Sequence, residues 1–190
     1  FPIRVPGEER VAAASLVYGP DGRRIGRYDK IHLFDVNVPD AAESHRESAG
    51  MVPARGIGVF DTPAGCIGVA VCYDLRFPEL FRRMLDAGAE AFVVSAAFTV
   101  PTGEAHWHLL LRTRAVENLC ALVAAAQVGT HQNGRQTFGH SAVIDCWGRV
   151  LAELPAGEGL ALADVDFARQ ARVRSEFPAL EHRVLGRTIS

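Results

Sequence analysis

Apolar residues along this chain fall into short runs separated by turns rich in Gly, Pro and Asp. Val11 to Tyr18 and Arg24 to Lys30 read as two strands joined by Gly19-Pro20-Asp21-Gly22, whose Asp-Gly pair suits a tight hairpin. Ile57 to Asp61 and Cys66 to Val71 form a second pair around Thr62-Pro63-Ala64-Gly65. Between the pairs, Asp35 to Gly58 is polar, holds Pro39, Gly50, Pro53 and Gly56, and shows no sustained period, which predicts a long loop of the kind that carries function.

The middle of the chain changes period. Leu80, Phe81, Met84 and Leu85 recur at helical spacing behind Pro78, and Gly88 supplies a stop, so Phe77 to Ala87 is predicted as an amphipathic helix. Ala91 to Ala97 is apolar throughout apart from Ser95 and reads as a buried strand. Glu104 to Leu119 reads as a helix opened by Thr102-Gly103, and Cys120 to Val128 as a further buried strand. A loop rich in Gly, Asn and His leads to predicted strands at Gly139 to Cys146, Val150 to Leu154 and Leu160 to Val165, the first two joined at Trp147-Gly148. Asp166 is placed to cap a last helix running to Arg174. Strands alternating with helices in the middle and hairpins at both ends predict a mixed α/β sandwich. With no repeat, low-complexity stretch or linker, residues 1–190 read as one domain.

Composition narrows the class. At 190 residues and 48% hydrophobic content the chain can bury a substantial core, which argues against disorder. Its 20 basic and 22 acidic residues are dispersed, giving a formal net charge of −2 and no basic block, so nucleic acid and anionic membrane are poor candidate partners. Cys66, Cys72, Cys120 and Cys146 have neither C-x-x-C spacing nor the density of a disulfide framework. Reduced thiols and a cytoplasmic location are expected. The apolar stretches are too short to span a bilayer, and a targeting segment upstream of Phe1 would lie outside this sequence.

Candidate chemistry centres on Cys72. It ends the apolar run Gly68-Val69-Ala70-Val71 and precedes Tyr73-Asp74-Leu75-Arg76-Phe77-Pro78-Glu79-Leu80, which sets its thiol at a bend between strand and helix. A nucleophile at such an elbow projects above the strand ends while nearby backbone N–H groups stay free to hold an oxyanion, and Tyr73 is the candidate donor. A thiol with an ordinary pKa near 8.5 needs a cation or a base to react as thiolate, and Lys30 is the candidate cation. Cys66, Cys120 and Cys146 read instead as buried structural thiols. Arg76 and Glu79 read either as an ion pair orienting the elbow or as an exposed salt bridge. His106 and His108 lie two apart on a predicted helix, so they face different ways; with no third ligand at useful spacing, a metal site is not expected.

The words "YDKIHLF" (Tyr28 to Phe34), "VCYDLRFPEL", "AFTVPTGEAHW", "RTRAVEN" and "FGHSAVIDCWGRVLAE" resemble, in order, the nitrilase or carbon–nitrogen hydrolase superfamily. Several ordered words carry more weight than one. The resemblance implies an αββα sandwich, frequent dimers or higher homo-oligomers, and thiol-dependent hydrolysis of a small amide without a cofactor. It places Cys72 and Lys30 on matching catalytic positions and gives Glu47, or its rival Glu43, the role of a second active-site glutamate beside the lysine. It also implies that Phe98, Thr102 and His106 neighbour the acyl group, although helix capping and core packing account for them equally well. The likeness is strongest to the amidase branch that includes deaminated glutathione amidase and ω-amidase. The superfamily's general-base glutamate lies upstream of the lysine word. Here only Glu8 and Glu9 precede Lys30, in what reads as an exposed turn, so the chain is expected to begin partway through the fold. A non-catalytic protein keeping the fold as an interaction module is the alternative.

Overall fold

The structure is a computed structural model, and it describes residues 1–38 and 44–185. A short strand β1 (Pro2–Arg4) pairs antiparallel with β2 (Val11–Tyr18), which in turn pairs with β3 (Arg24–Asp29) across the expected Asp21-Gly22 turn. The segment expected as a loop after Lys30 is more ordered than its polarity suggests. It contains β4 (Asp35–Asn37) paired with β5 (Ser44–Arg46), then a 3-10 turn over Glu47–Ala49. Strands of three residues lie below what a periodicity argument can detect.

The main sheet begins with β6 (Gly58–Thr62) and β7 (Gly65–Val71), and β7 runs into a 3-10 turn over Cys72–Arg76 and then α1 (Pro78–Asp86). β8 (Ala91–Ala96) leads to α2 (Val100–Asn118), and β9 (Ala121–Ala126) to the short ribbon β10 (Val128–Thr130) and β11 (Gln136–Phe138). β12 (Ser141–Ile144), β13 (Val150–Leu154) and α3 (Phe167–Glu176) complete the described elements. The six-stranded sheet has the order β13-β12-β9-β8-β7-β6, parallel through β7, β8 and β9 and antiparallel at both sides.

One face of this sheet packs on α1 and α2. Ala70, Phe92, Val94, Leu122, Ala124 and Ile144 from the strands meet Phe81, Met84, Trp107 and Leu111 from the helices, and all are buried. The β1–β3 sheet stacks on the opposite face near β6 and β7. There Gly26 lies against the Phe60 ring and Gly58 against Tyr28, so closely that a Cβ at either glycine would overlap the aromatic side chain. Among the described residues this gives a helix layer and two sheets, the mixed α/β sandwich that the patterning implies.

Two further expectations change. The helix expected from Glu104 starts earlier, at Val100, with Thr99 as its N-cap and Pro101 in its first turn, where a missing N–H costs no helical bond. Leu160 to Val165 forms no strand; Leu160 and Leu162 are exposed, and alternation alone could not supply a partner edge. Asp166 does cap α3, its Oδ1 accepting from the Arg169 N–H at 2.7 Å. From α3, Gln170 reaches the strand ends, accepting from Ala121 N–H and donating to Glu90 O, both at 2.8 Å. No described helix is long and apolar enough to cross a membrane.

Candidate active site

Parallel strands β7 and β8 end side by side, and the chain turns sharply at both ends. Cys72 directly follows β7 with φ +52°, a left-handed backbone that non-glycine residues rarely adopt. Such conformations persist only when their surroundings fix them. The fixing group here is Asp74, fully buried two residues on. Its carboxylate accepts from the Val71 N–H at 2.9 Å, the Tyr28 hydroxyl at 2.8 Å and the His32 N–H at 3.0 Å, and it contacts His32 Nδ1 at 2.8 Å. Burial first, then the Asp74 charge, pushes the Tyr28 phenol well above its ordinary pKa, so it stays a donor. His32 also stacks on Phe77 with ring centroids 3.6 Å apart. The end of β3 is thereby tied to the Cys72 turn.

Lys30 lies between Tyr28 and His32 and is only 2% exposed. Its Nζ sits 2.5 Å from Glu47 Oε2, and the same oxygen accepts from the Phe34 N–H at 2.6 Å. A buried ammonium needs such a partner, since an uncompensated charge out of water is very costly. Glu43, the alternative to Glu47, lies outside the described residues.

Burial raises the Cys72 thiol above its ordinary pKa; Lys30, with the Ala97 backbone contact and Arg135, pulls it back, while Glu47 adds to the rise. The cation expected from sequence is therefore electrostatically in reach of the sulfur and opposes the effect of burial.

Cys72 lines a small, largely apolar pocket together with Phe34, Tyr73, Arg76, Phe98, Thr99 and Thr102. Tyr73 sits on the 3-10 turn one residue past the sulfur. Phe98 and Thr99 follow β8, and Thr102 Oγ1 meets Thr99 Oγ1 at 2.8 Å in the first turn of α2. Thr102 thus lines the pocket, while no side chain caps the start of α2. His106 lies one turn further along α2, outside the pocket lining, and reaches it through Arg76, whose Nη1 is 3.3 Å from His106 Nδ1.

Arg76 corrects one expectation. It does not turn toward Glu79, which is exposed on α1. Its guanidinium instead lies 5.4 Å from the Phe98 ring centroid and 5.9 Å from that of Tyr73, facing the pocket. Position i+3 gave no way to separate the two, because the 3-10 turn ends at Arg76 and α1 begins at Pro78, breaking the helical register between them. Behind the turn, buried Arg114 donates to Leu75 O and to Glu117 Oε1, both at 2.9 Å, so α2 supports the elbow from behind.

Glu8 and Glu9 are exposed, with Glu8 beside Arg10 at 3.8 Å. The other thiols are placed apart from the pocket. Cys120 and Cys146 are buried, the former pushed up to about 12 by burial, and Cys66 is half-buried at the start of β7. Sequence spacing missed one cluster. His108 meets Glu153, 45 residues away, and His140, neither of which follows at local ligand spacing.

The chain belongs to the carbon-nitrogen hydrolase family, whose model matches residues 7–175. It is 43% identical over 172 residues to the deaminated glutathione amidase of Yersinia enterocolitica, an alignment covering 90% of this chain and 60% of that protein. The chain thus spans about 60% of that relative's length. Among solved structures it is similar to the Caenorhabditis elegans NitFhit protein, with TM-score 0.88 and 38% identity over 95% of this chain and 44% of that one. It is also similar to a mutant amidase from Nesterenkonia sp. AN1 carrying the acetamide moiety of fluoroacetamide covalently added at its active-site cysteine. That match has TM-score 0.74 and 26% identity over 96% of this chain and 65% of the other. The mixed α/β fold expected from the sequence is the fold the chain shares with these structures.

Proposed function

We propose that the protein hydrolyses the C–N bond of a small carboxylic-acid amide, releasing ammonia, with Cys72 as nucleophile. The observation that carries this reading is that Cys72 and the Arg76 guanidinium line one apolar pocket while the buried Lys30–Glu47 pair acts electrostatically on the same thiol. Cys72 Sγ attacks the amide carbon, and the thiol proton passes to the amide nitrogen by way of a general base. The carbonyl oxygen takes up the electron pair and is held by the Lys30 ammonium and the Tyr73 N–H. Collapse expels ammonia and leaves a thioester on Cys72; water then attacks that carbonyl, regenerating the thiol and releasing the carboxylate.

Glu47 serves as the counter-ion that keeps Lys30 charged and fixed. The general base is assigned neither to Glu8 nor to Glu9, which are exposed, nor to Glu47, which is engaged with Lys30 and the Phe34 N–H. Arg76 has the geometry to receive a carboxylate at the far end of the acyl group, with Phe98 and Thr102 shaping the space between. An anionic ω-amide therefore fits better than a neutral one. The likeness to named deaminated glutathione amidases favours deaminated glutathione as substrate, and a short 2-oxo acid amide such as 2-oxoglutaramate offers the same carboxylate to Arg76. A homodimer in the cytoplasm is the proposed setting.

The test is ammonia release by the complete protein across deaminated glutathione, 2-oxoglutaramate and neutral short amides. The reading expects turnover of an anionic substrate that disappears in Cys72→Ala. Full turnover in that variant would overturn it, and a folded complete protein inert toward the whole panel would favour the interaction-module alternative.

A further inference from the structure

Away from the thiol, three potential ligands come together from separate elements: His108 on α2, His140 just before β12, and Glu153 on β13. His108 Nε2 lies 2.8 Å and His140 Nδ1 2.5 Å from the same oxygen, Glu153 Oε1, and the three donor atoms all lie within 4.8 Å of one another. Both imidazole nitrogens therefore already point at one spot.

The framework around them is well determined. β12 and β13 pair antiparallel with Ala142 opposite Glu153, so the glutamate is fixed by sheet register. His140 is held at φ +61°, its N–H donating to Pro155 O at 3.2 Å and its carbonyl accepting from Trp107 Nε1 at 2.8 Å. Its ring stacks on Phe138 with centroids 4.1 Å apart. His108 and Glu153 side chains retain 39% and 26% exposure, so an ion can enter from solvent.

We propose that His108, His140 and Glu153 form a divalent transition-metal site of the zinc type, independent of the amidase reading. Two imidazole nitrogens and one carboxylate oxygen, with no thiolate, match the borderline ligand set preferred by Zn²⁺, Co²⁺ and Ni²⁺ over Mg²⁺ or Ca²⁺. Ligand atoms on one zinc ion stand roughly 3–4 Å apart, so shifts of under about 1 Å centre an ion among these three and leave a fourth position for water. The bound ion would clasp α2 to the β12–β13 hairpin. That junction adjoins the pocket, because the Phe138 N–H donates to Phe98 O at 3.0 Å. The metal is therefore a stabilising clasp of the pocket's rear wall, with no step in amide hydrolysis.

The test uses metal-stripped Cys72→Ala protein, so that the reactive thiol does not compete for the ion, with Zn²⁺ in calorimetric titration and Co²⁺ as an optical probe. The expected result is one ion per chain, a Co²⁺ spectrum lacking a sulfur charge-transfer band, and a higher melting temperature with Zn²⁺. In that background His108→Ala should weaken Zn²⁺ binding by at least about 100-fold, and Glu153→Gln, which keeps size and hydrogen bonding and serves as the readout should His108→Ala fail to fold, should weaken it comparably. Absence of binding, a sulfur-ligated Co²⁺ spectrum, or Zn²⁺ affinity unchanged in Glu153→Gln would overturn the proposal and leave a hydrogen-bonded His–Glu–His network.

Discussion

The Tyr28 hydroxyl donates to the buried Asp74 carboxylate at 2.8 Å across 46 residues of sequence, tying the strand that delivers Lys30 to the turn that delivers Cys72. The same carboxylate holds the Val71 and His32 N–H groups, so it fixes the strained turn from inside and the lysine strand from outside. Removing it leaves one buried donor, the Tyr28 hydroxyl, and two half-buried N–H groups without this partner, and each carries a desolvation penalty.

Asp74→Ala should therefore destabilise the protein by about 2–4 kcal/mol, read as a lower urea midpoint. Asp74→Asn, which can still accept from Tyr28 or Val71, should cost less. Equal stability of Asp74→Ala and the parent would mean that the tether is not what fixes the elbow.

Lys30 and burial act on Cys72 in opposite directions, and the sign of the net effect can be read by alkylation. Because the folded thiol is raised above its ordinary value, the pH midpoint for iodoacetamide labelling of Cys72 should lie above that of an exposed cysteine. Lys30→Met removes a lowering influence and leaves Glu47 as an unbalanced negative charge, so the midpoint should move further up. A midpoint that falls in Lys30→Met would contradict the electrostatic pairing.

Arg76 should separate substrates by charge. Replacing it with Met in the complete protein removes a charge-assisted hydrogen bond worth roughly 1.5–3 kcal/mol, or about 10- to 100-fold in kcat/KM, for an amide bearing a distal carboxylate. Turnover of a neutral amide of similar length should change far less. The ratio of the two values in parent and variant is the measurement, and an unchanged ratio would remove Arg76 from substrate recognition.

Much of this was legible in the residues. The Cys72 elbow, the helix after Pro78 and the strand–helix alternation through Asn118 follow from apolar runs, Pro placement and Gly stops, which are local signals. Position-by-position roles were less so. Arg76 and Glu79 read equally as an orienting ion pair or an exposed salt bridge, whereas the change from 3-10 turn to α-helix turns the two apart. Nothing local marks Asp74 as a site residue, because its partners Tyr28 and His32 lie 46 and 42 residues earlier. His108 is hidden for the same reason: its partners arrive with the β12–β13 hairpin, and no local spacing encodes that. The small strands β1, β4, β5 and β11 owe their order to pairing rather than propensity, which short polar segments do not advertise.

The central claim is that Cys72 takes the acyl group of the substrate. The most direct measurement is intact-mass and peptide mass spectrometry of the complete protein, quenched in acid during turnover of an anionic ω-amide. The account predicts a mass increase equal to the acyl group, located on the peptide containing Cys72, sensitive to hydroxylamine and absent from Cys72→Ala. An acyl group found on another residue, or ammonia release undiminished in Cys72→Ala, would contradict it.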